Sequence, residues 1–183
     1  LAAIVVSALV LAIVPGAVPR TRGPAGRRDL LAMAAMYLAV VALLRLAFVG
    51  FTTDNIPGLF LSFAAGLLLG VAGPVIYTVW SRKGSLADLG IRRDNWKPTV
   101  TLGLMFAAVQ FALTLWGFDY PAAEDWVPLL VMALVVGVFE SVFFRGFVQN
   151  RLQAQFGSVA GVAGAALLYG LYHVGYGMGG TEI

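Results

Sequence analysis

The chain lacks cysteine altogether and contains a single histidine among its 183 residues. The absence of cysteine excludes disulfides, thiolate nucleophiles, iron–sulfur clusters and cysteine-based zinc sites. The single histidine, His173, excludes a multi-histidine metal site built from this chain alone. Charged residues are also scarce, at 11%, against roughly 25% in ordinary soluble domains. The composition therefore excludes an ordinary water-soluble domain.

Hydrophobic residues make up 60% of the chain, and its mean hydropathy is +0.89. They fall in blocks of about 20 residues, the length that an α-helix needs to cross ~30 Å of hydrocarbon. We therefore predict an all-α, polytopic membrane protein with about six transmembrane helices in one helical membrane domain spanning 1–183. The predicted segments are 1–19, 30–49, 59–80, 99–117, 127–147 and 158–178.

The loops between these segments alternate in charge. Residues 20–28 carry four Arg and residues 81–98 carry five basic residues, whereas residues 51–59 and 119–126 carry four acidic residues and no basic one. By the positive-inside rule the two basic loops are cytoplasmic and the two acidic loops are outside. Basic residues placed in this way set membrane topology, so we expect the lipid bilayer as a partner and no nucleic acid.

The ratio of Arg to Lys and the two ends of the chain give expectations about its source and its completeness. Ten Arg against two Lys is compatible with a bacterial protein from a high-GC genome, for which we expect a multi-pass location in the plasma membrane. Leu1 already lies in an apolar segment, and Ile183 follows closely on another. We expect the chain to be a piece that is truncated at both ends.

Small residues recur at helical spacing in two places, Gly66/Gly70/Gly73 and Gly157/Gly161/Ala165. Small side chains let helix backbones approach each other closely in lipid. We predict close helix packing at both places.

Glu140 is the only acidic residue inside any predicted span. An ionisable side chain at the centre of a membrane helix costs at least ~2.5–3.5 kcal/mol, so it usually has a partner or a function. Gly157 is predicted to end the helix that contains Glu140. Glu140 lies 17 residues before it and His173 lies 16 residues after it. Two antiparallel helices joined at Gly157 would hold both side chains at the same depth, roughly 25 Å from the turn.

This constellation resembles the motifs of a known family. The stretch 140–146, ESVFFRG, resembles the E-E-x-x-x-R-G motif of the CAAX protease and bacteriocin-processing family (CPBP, type II CAAX endopeptidase-like), also called the abortive-infection (ABI) family. The stretch 169–173, YGLYH, resembles that family's F-x-x-x-H motif, with Tyr169 in place of Phe. The loop at 84–96 is similar to a Leu-Gly-Leu-Arg stretch of the family. Residues 127–183 thus look like a partial catalytic region.

The resemblance implies an intramembrane endopeptidase that hydrolyses a peptide bond near the membrane. Glu140 would activate a water molecule, His173 would hold or polarise it, and Arg145 would take the place of the motif arginine in the catalytic site. The substrate would be a peptide or a membrane-protein segment. The family has been described both as metal-dependent and as metal-independent, so a divalent metal such as zinc is left open. One Glu and one His are too few ligands for a catalytic zinc ion, which normally takes three.

The chain departs from the family pattern at two points. Ser141 stands where the motif has its second Glu, four residues before Arg145, which is the same-face spacing of a regular α-helix. Glu140 is five residues away from Arg145, about 140° around such a helix, and is a poorer partner. Arg145 therefore has an open alternative as an interfacial residue. The family's third motif, H-x-x-x-N or H-x-x-x-D, does not occur in the sequence.

Two other functions stay open at this point. A non-catalytic family member, acting in bacteriocin immunity or as a membrane scaffold, is favoured by Ser141. A transporter that uses Glu140 and His173 as a proton relay is compatible with buried ionisable groups. Such a transporter would be expected to contain inverted repeats or broken helices, which the sequence does not indicate.

Overall fold

The computed structural model describes residues 26–50, 56–92, 96–117 and 122–173, and all regular structure within these residues is helical. The described part contains five long helices. They are α1 (Arg27–Gly50), α2 (56–81), α3 (Trp96–Gly117), α4 (126–156) and α5 (Ser158–Tyr172). Short 3₁₀ turns at Leu86–Leu89 and Ala123–Asp125 precede α3 and α4. The all-helical prediction is confirmed for these residues.

Two of the helices contain π-helical sections, in which each backbone N–H bonds to the carbonyl five residues earlier. In α2 these sections are Leu68–Ala72 and Tyr77–Ser81. Between them lies Pro74, which has no N–H to donate and therefore interrupts the α-helical pattern. In α4 the α-helical section Trp126–Glu140 gives way to a π-helical section, Ser141–Gln149, before Asn150–Phe156 resumes the α-helix.

The predicted spans from residue 30 onward coincide with helices wherever the structure describes them. Two described helices are long and apolar enough to cross a membrane, Arg27–Ala47 and Ala123–Phe156. Shorter apolar helices lie at Leu68–Ser81 and Ser158–Tyr172. The segment 1–19 and the end of the segment 158–178 lie outside the described residues, so the count of six spans stays a prediction.

The buried core forms around the π-helical section of α4. Its largest members are aromatic residues of α4 and α5, packed against aliphatic residues of α1: Phe139, Phe143, Phe144, Phe147, Tyr172, Val40 and Leu44. The section is strongly two-sided, because Val142–Phe144 and Gly146–Val148 are buried while Ser141 and Arg145 are exposed. The motif segment of α4 thus packs its apolar side into the centre of the bundle.

Glycines permit the closest helix contacts. A Cβ at Gly70 of α2 would collide with the ring of Phe139, and a Cβ at Gly161 of α5 would collide with the backbone of Gln153. The close packing predicted from the small-residue spacing is therefore confirmed at both places.

Gly157 ends α4 and reverses the chain into α5. Its backbone angles, φ 84° and ψ 170°, belong to a region that is essentially restricted to glycine. Its N–H donates to the carbonyl of Gln153 at 2.9 Å, and its own carbonyl accepts from Gly161 at 2.9 Å. The predicted break is confirmed, and α4 and α5 form a helical hairpin that brings residues 140 and 173 toward each other.

Candidate functional site

Glu140 lies at the last α-helical position of α4, immediately before the π-helical section, and is half-buried. Its carboxylate accepts two hydrogen bonds from α5. The hydroxyl of Tyr169 donates to Oε2 at 2.8 Å, and the hydroxyl of Tyr172 donates to Oε1 at 3.0 Å. The carboxylate of Glu140 therefore has two hydrogen-bond partners, the phenol groups of Tyr169 and Tyr172.

His173 follows directly on α5 and lies against the same two tyrosines. Its ring centroid is 4.9 Å from that of Tyr169 and 4.5 Å from that of Tyr172. Its Nδ1 lies 2.9 Å from the backbone carbonyl oxygen of Tyr169. Glu140 and His173, which the sequence places at matched depth, thus both contact Tyr169 and Tyr172 in the structure.

Aromatic rings pack against this group of four side chains, of which Tyr172 is buried and the other three are half-buried. The ring of Phe144 lies 5.0 Å from that of Tyr169 and 4.8 Å from that of Tyr172. Phe139 lies 6.0 Å from Tyr172, whose side chain is only 1% exposed. Aromatic neighbours of this kind lower the polarity beside a carboxylate and so strengthen its electrostatic interactions.

Arg145 and Ser141 lie on the exposed side of the π-helical section. Within the described residues Arg145 forms no ion pair. These positions lie in the π-helical section rather than in a regular α-helix. Ser141 and Arg145 nevertheless share one side of the helix, as their four-residue spacing predicts. The structure does not bring the Arg145 guanidinium into the group around Glu140.

Gly146, the last residue of the first motif, is where the loop before α3 docks. A Cβ at this position would collide with the backbone of Leu89. Asn150, one turn further on, donates from Nδ2 to the carbonyls of Asp88 at 3.1 Å and Gly146 at 2.8 Å. The family-like stretch in this loop is therefore a direct neighbour of the motif helix, a contact that the sequence alone did not indicate.

A second polar cluster, absent from the sequence predictions, lies where α1, α2 and α4 meet. Asp29 is 2% exposed; it accepts from the hydroxyl of Tyr77 at 2.8 Å and pairs with Nε of Arg82 at 3.2 Å. Arg151 is buried and donates to the carbonyl of Phe147 at 3.1 Å and to Oγ1 of Thr78 at 3.2 Å. In the sequence, the polar residues of α4 beyond residue 147 are the feature that could have indicated this cluster.

The donor set at Glu140 does not fit a catalytic zinc ion. Among the described residues no three His, Cys, Asp or Glu side chains come together. Both carboxylate oxygens of Glu140 accept hydrogen bonds from tyrosines, and one further imidazole leaves the count below the usual three protein ligands.

Comparison with known proteins gives one finding. Residues 122–181 match the family model described as Rce1-like, type II CAAX prenyl endopeptidase Rce1-like. This segment contains Glu140, Arg145 and His173, and the resemblance predicted from the two motifs is confirmed for it. No curated protein and no solved structure gives a significant match to the chain.

Proposed function

We propose that this protein is a membrane-embedded endopeptidase in which Glu140 is the general base. The observation that carries the proposal is the joint placement of the two motif residues. Glu140 and His173 contact the same pair of tyrosines, in a segment that matches a peptidase family.

The proposed reaction needs a carboxylate base and a water molecule. Glu140 takes a proton from a water molecule, and the resulting hydroxide attacks the carbonyl carbon of the scissile peptide bond. The tetrahedral intermediate then expels the amine, which receives the proton held by Glu140. A carboxylate offers about four acceptor positions. The two tyrosines use one on each oxygen, so bonding to a water molecule is compatible with their presence.

The proposed substrate is a peptide or membrane-protein segment that reaches the site from the bilayer. The apolar helices of the described chain and the family match support a membrane location. The name of the matched family makes a prenylated C-terminal CAAX peptide the natural first probe. A bacterial protein would need another substrate, so an unprenylated peptide of the same sequence belongs in the test.

Glu140→Gln is the decisive variant, because it keeps the shape of the side chain and one acceptor oxygen but removes its basicity. We expect it to abolish cleavage of internally quenched peptides, farnesylated and unmodified, by the purified protein in lipid nanodiscs. His173→Ala should also inactivate. The double variant should be no worse than the poorer single one, because residues acting as one unit are not additive.

Glu124→Gln provides the matched control, since Glu124 is exposed in the turn before α4, away from the site. It should cleave at the wild-type rate. Cleavage by Glu140→Gln at the wild-type rate would refute the role of Glu140. Thermal unfolding of each variant shows whether a loss of cleavage reflects chemistry or a failure to fold.

A non-catalytic scaffold or bacteriocin-immunity function is the second candidate. Ser141, exposed where the motif has its second Glu, and Arg145, without an ion pair among the described residues, favour it. A well-folded wild-type protein that cleaves neither peptide would support this candidate.

A further inference from the structure

Two phenol hydroxyls converge on one carboxylate, one on each oxygen. Tyr169 and Tyr172 lie three residues apart on α5, so their side chains share one face of the helix. Their hydroxyls reach Oε2 and Oε1 of Glu140 at 2.8 and 3.0 Å. Such an arrangement does more than give a half-buried carboxylate a partner, because it holds both oxygens at once.

We propose that Tyr169 and Tyr172 are positioning residues, whose hydroxyls hold the Glu140 carboxylate in the single orientation that hydrolysis requires. This inference rests on the proposed function. It adds the two hydroxyl groups that orient the carboxylate of Glu140.

The terminal torsion of a glutamate side chain is broad and roughly two-fold, so an unrestrained carboxylate rotates readily. Rotation of the Glu140 carboxylate would break both tyrosine bonds together. A correctly oriented base contributes more to the rate than a freely rotating one, because the bound geometry is established before the reaction.

The rings that carry the hydroxyls are themselves held in place. Tyr172 packs against Phe139, Phe144 and His173, and its side chain is almost completely buried. Tyr169 packs edge-on against Phe144 at 5.0 Å. The two donors therefore cannot follow a rotating carboxylate, and it is the carboxylate that must conform.

The Tyr169 hydroxyl is the atom by which this chain differs from the F-x-x-x-H pattern. A phenylalanine at this position would retain the ring contacts with Phe144 and His173 but could not donate to Glu140. Tyr169→Phe consequently separates the hydroxyl from the ring, with little risk to folding. Tyr172→Phe does the same for the other oxygen.

The kinetic test uses these two variants in nanodiscs with the quenched peptides. A hydrogen bond to a charged group contributes enough that each variant should lose about tenfold in kcat, with KM within about twofold of wild type. Tyr37→Phe is the matched control. The Tyr37 hydroxyl donates to the carbonyl of Leu168 at 2.9 Å, so this variant also loses an interhelical hydrogen bond, but not one to Glu140. It should keep its kcat.

A stability cycle tests the contact without any substrate. Tyr169→Phe should lower Tm by about 2–4 °C in the wild-type background and by less than about 1 °C when Glu140 is already Ala. Additive changes in Tm, or a kcat unchanged in both tyrosine variants, would overturn the positioning role even in an active enzyme. A wild-type protein that cleaves neither peptide overturns the proposed function instead, and with it the catalytic consequence of positioning.

Discussion

Arg151 carries a charge into the interior of the helical bundle, where two aromatic rings and two oxygen acceptors contact it, while its Nε has no hydrogen-bond partner among the described residues. Its guanidinium lies 3.7 Å from the ring centroid of Phe147 and 5.4 Å from that of Tyr77. It also donates to a carbonyl and to a threonine hydroxyl. A planar guanidinium can stack and donate at the same time, which an ammonium cannot.

Arg151→Ala should destabilise the protein by about 3 kcal/mol, because it removes two buried hydrogen bonds of a charged group and the packing of the guanidinium on two aromatic rings. Arg151→Lys keeps the charge but loses the stacking, and should destabilise by about 1–2 kcal/mol. Unfolding in detergent measures both. Arg92→Ala, at an exposed position, should change the free energy of unfolding by less than about 0.5 kcal/mol. An Arg151→Ala protein as stable as wild type would show that the contacts of Arg151 do not contribute to the free energy of unfolding.

The sequence predicts how deep a residue lies along its helix better than it predicts the hydrogen-bond partners of that residue. Nearly equal spacing from Gly157 indicates that Glu140 and His173 approach each other, and in the structure both contact Tyr169 and Tyr172. The tyrosine hydroxyls are missed, since an aromatic residue on an apolar helix is ordinarily interpreted as packing. Asp29 is missed for another reason: it adjoins a predicted span, where an acidic residue is expected to face solvent.

At the scale of elements, the π-helical section of α4 determines which residues of the first motif face the core. Its i→i+5 bonding changes the backbone hydrogen-bond pattern, but Ser141 and Arg145 still lie on the same exposed side, so the relation predicted from their four-residue spacing is retained. The helix, its length and its end at Phe156 follow from the apolar run and Gly157. The change of helix type at Ser141 has no comparable signal in the sequence.

Gly146 is the position at which this packing can be tested. Gly146→Ala would place a methyl group against the backbone of Leu89, and overpacking of this kind costs typically about 1–3 kcal/mol. We expect lower stability and faster tryptic cleavage after Arg82 and Lys83, because the loop is displaced.

Gly137→Ala is the control on the same helix, since nothing lies within 4 Å of an added Cβ there. That variant should be unchanged or more stable by up to ~1 kcal/mol, reflecting the helix propensity of alanine. If both glycine variants behave alike, the loop does not depend on close approach to Gly146.

At the scale of the whole molecule, α4 connects the two loops whose charge sets the predicted topology. The basic loop 81–98 contacts α4 through Leu89 at Gly146, and the acidic loop 119–126 ends at the start of α4. Ala122 precedes α4, and Gly146 lies 20 residues beyond the first residue of that helix. At 1.5 Å per residue this is up to about 30 Å, comparable to the hydrocarbon thickness of a bilayer. The loop that packs on Gly146 and the turn at Ala122 are thus separated by roughly one membrane thickness along α4.

Single cysteines at Ser85 and Ala122 test this arrangement. Both residues are exposed, and the chain has no cysteine of its own, so the unmodified protein is a blank for labelling. By the charge of the loops, Ala122→Cys should react with a membrane-impermeant maleimide in intact cells. Ser85→Cys should react only after permeabilisation. Labelling of Ser85→Cys in intact cells would reverse the orientation. Equal labelling of both cysteines in intact cells would mean that α4 does not separate two compartments, which would contradict a membrane-spanning α4 and the proposal of an intramembrane site at Glu140.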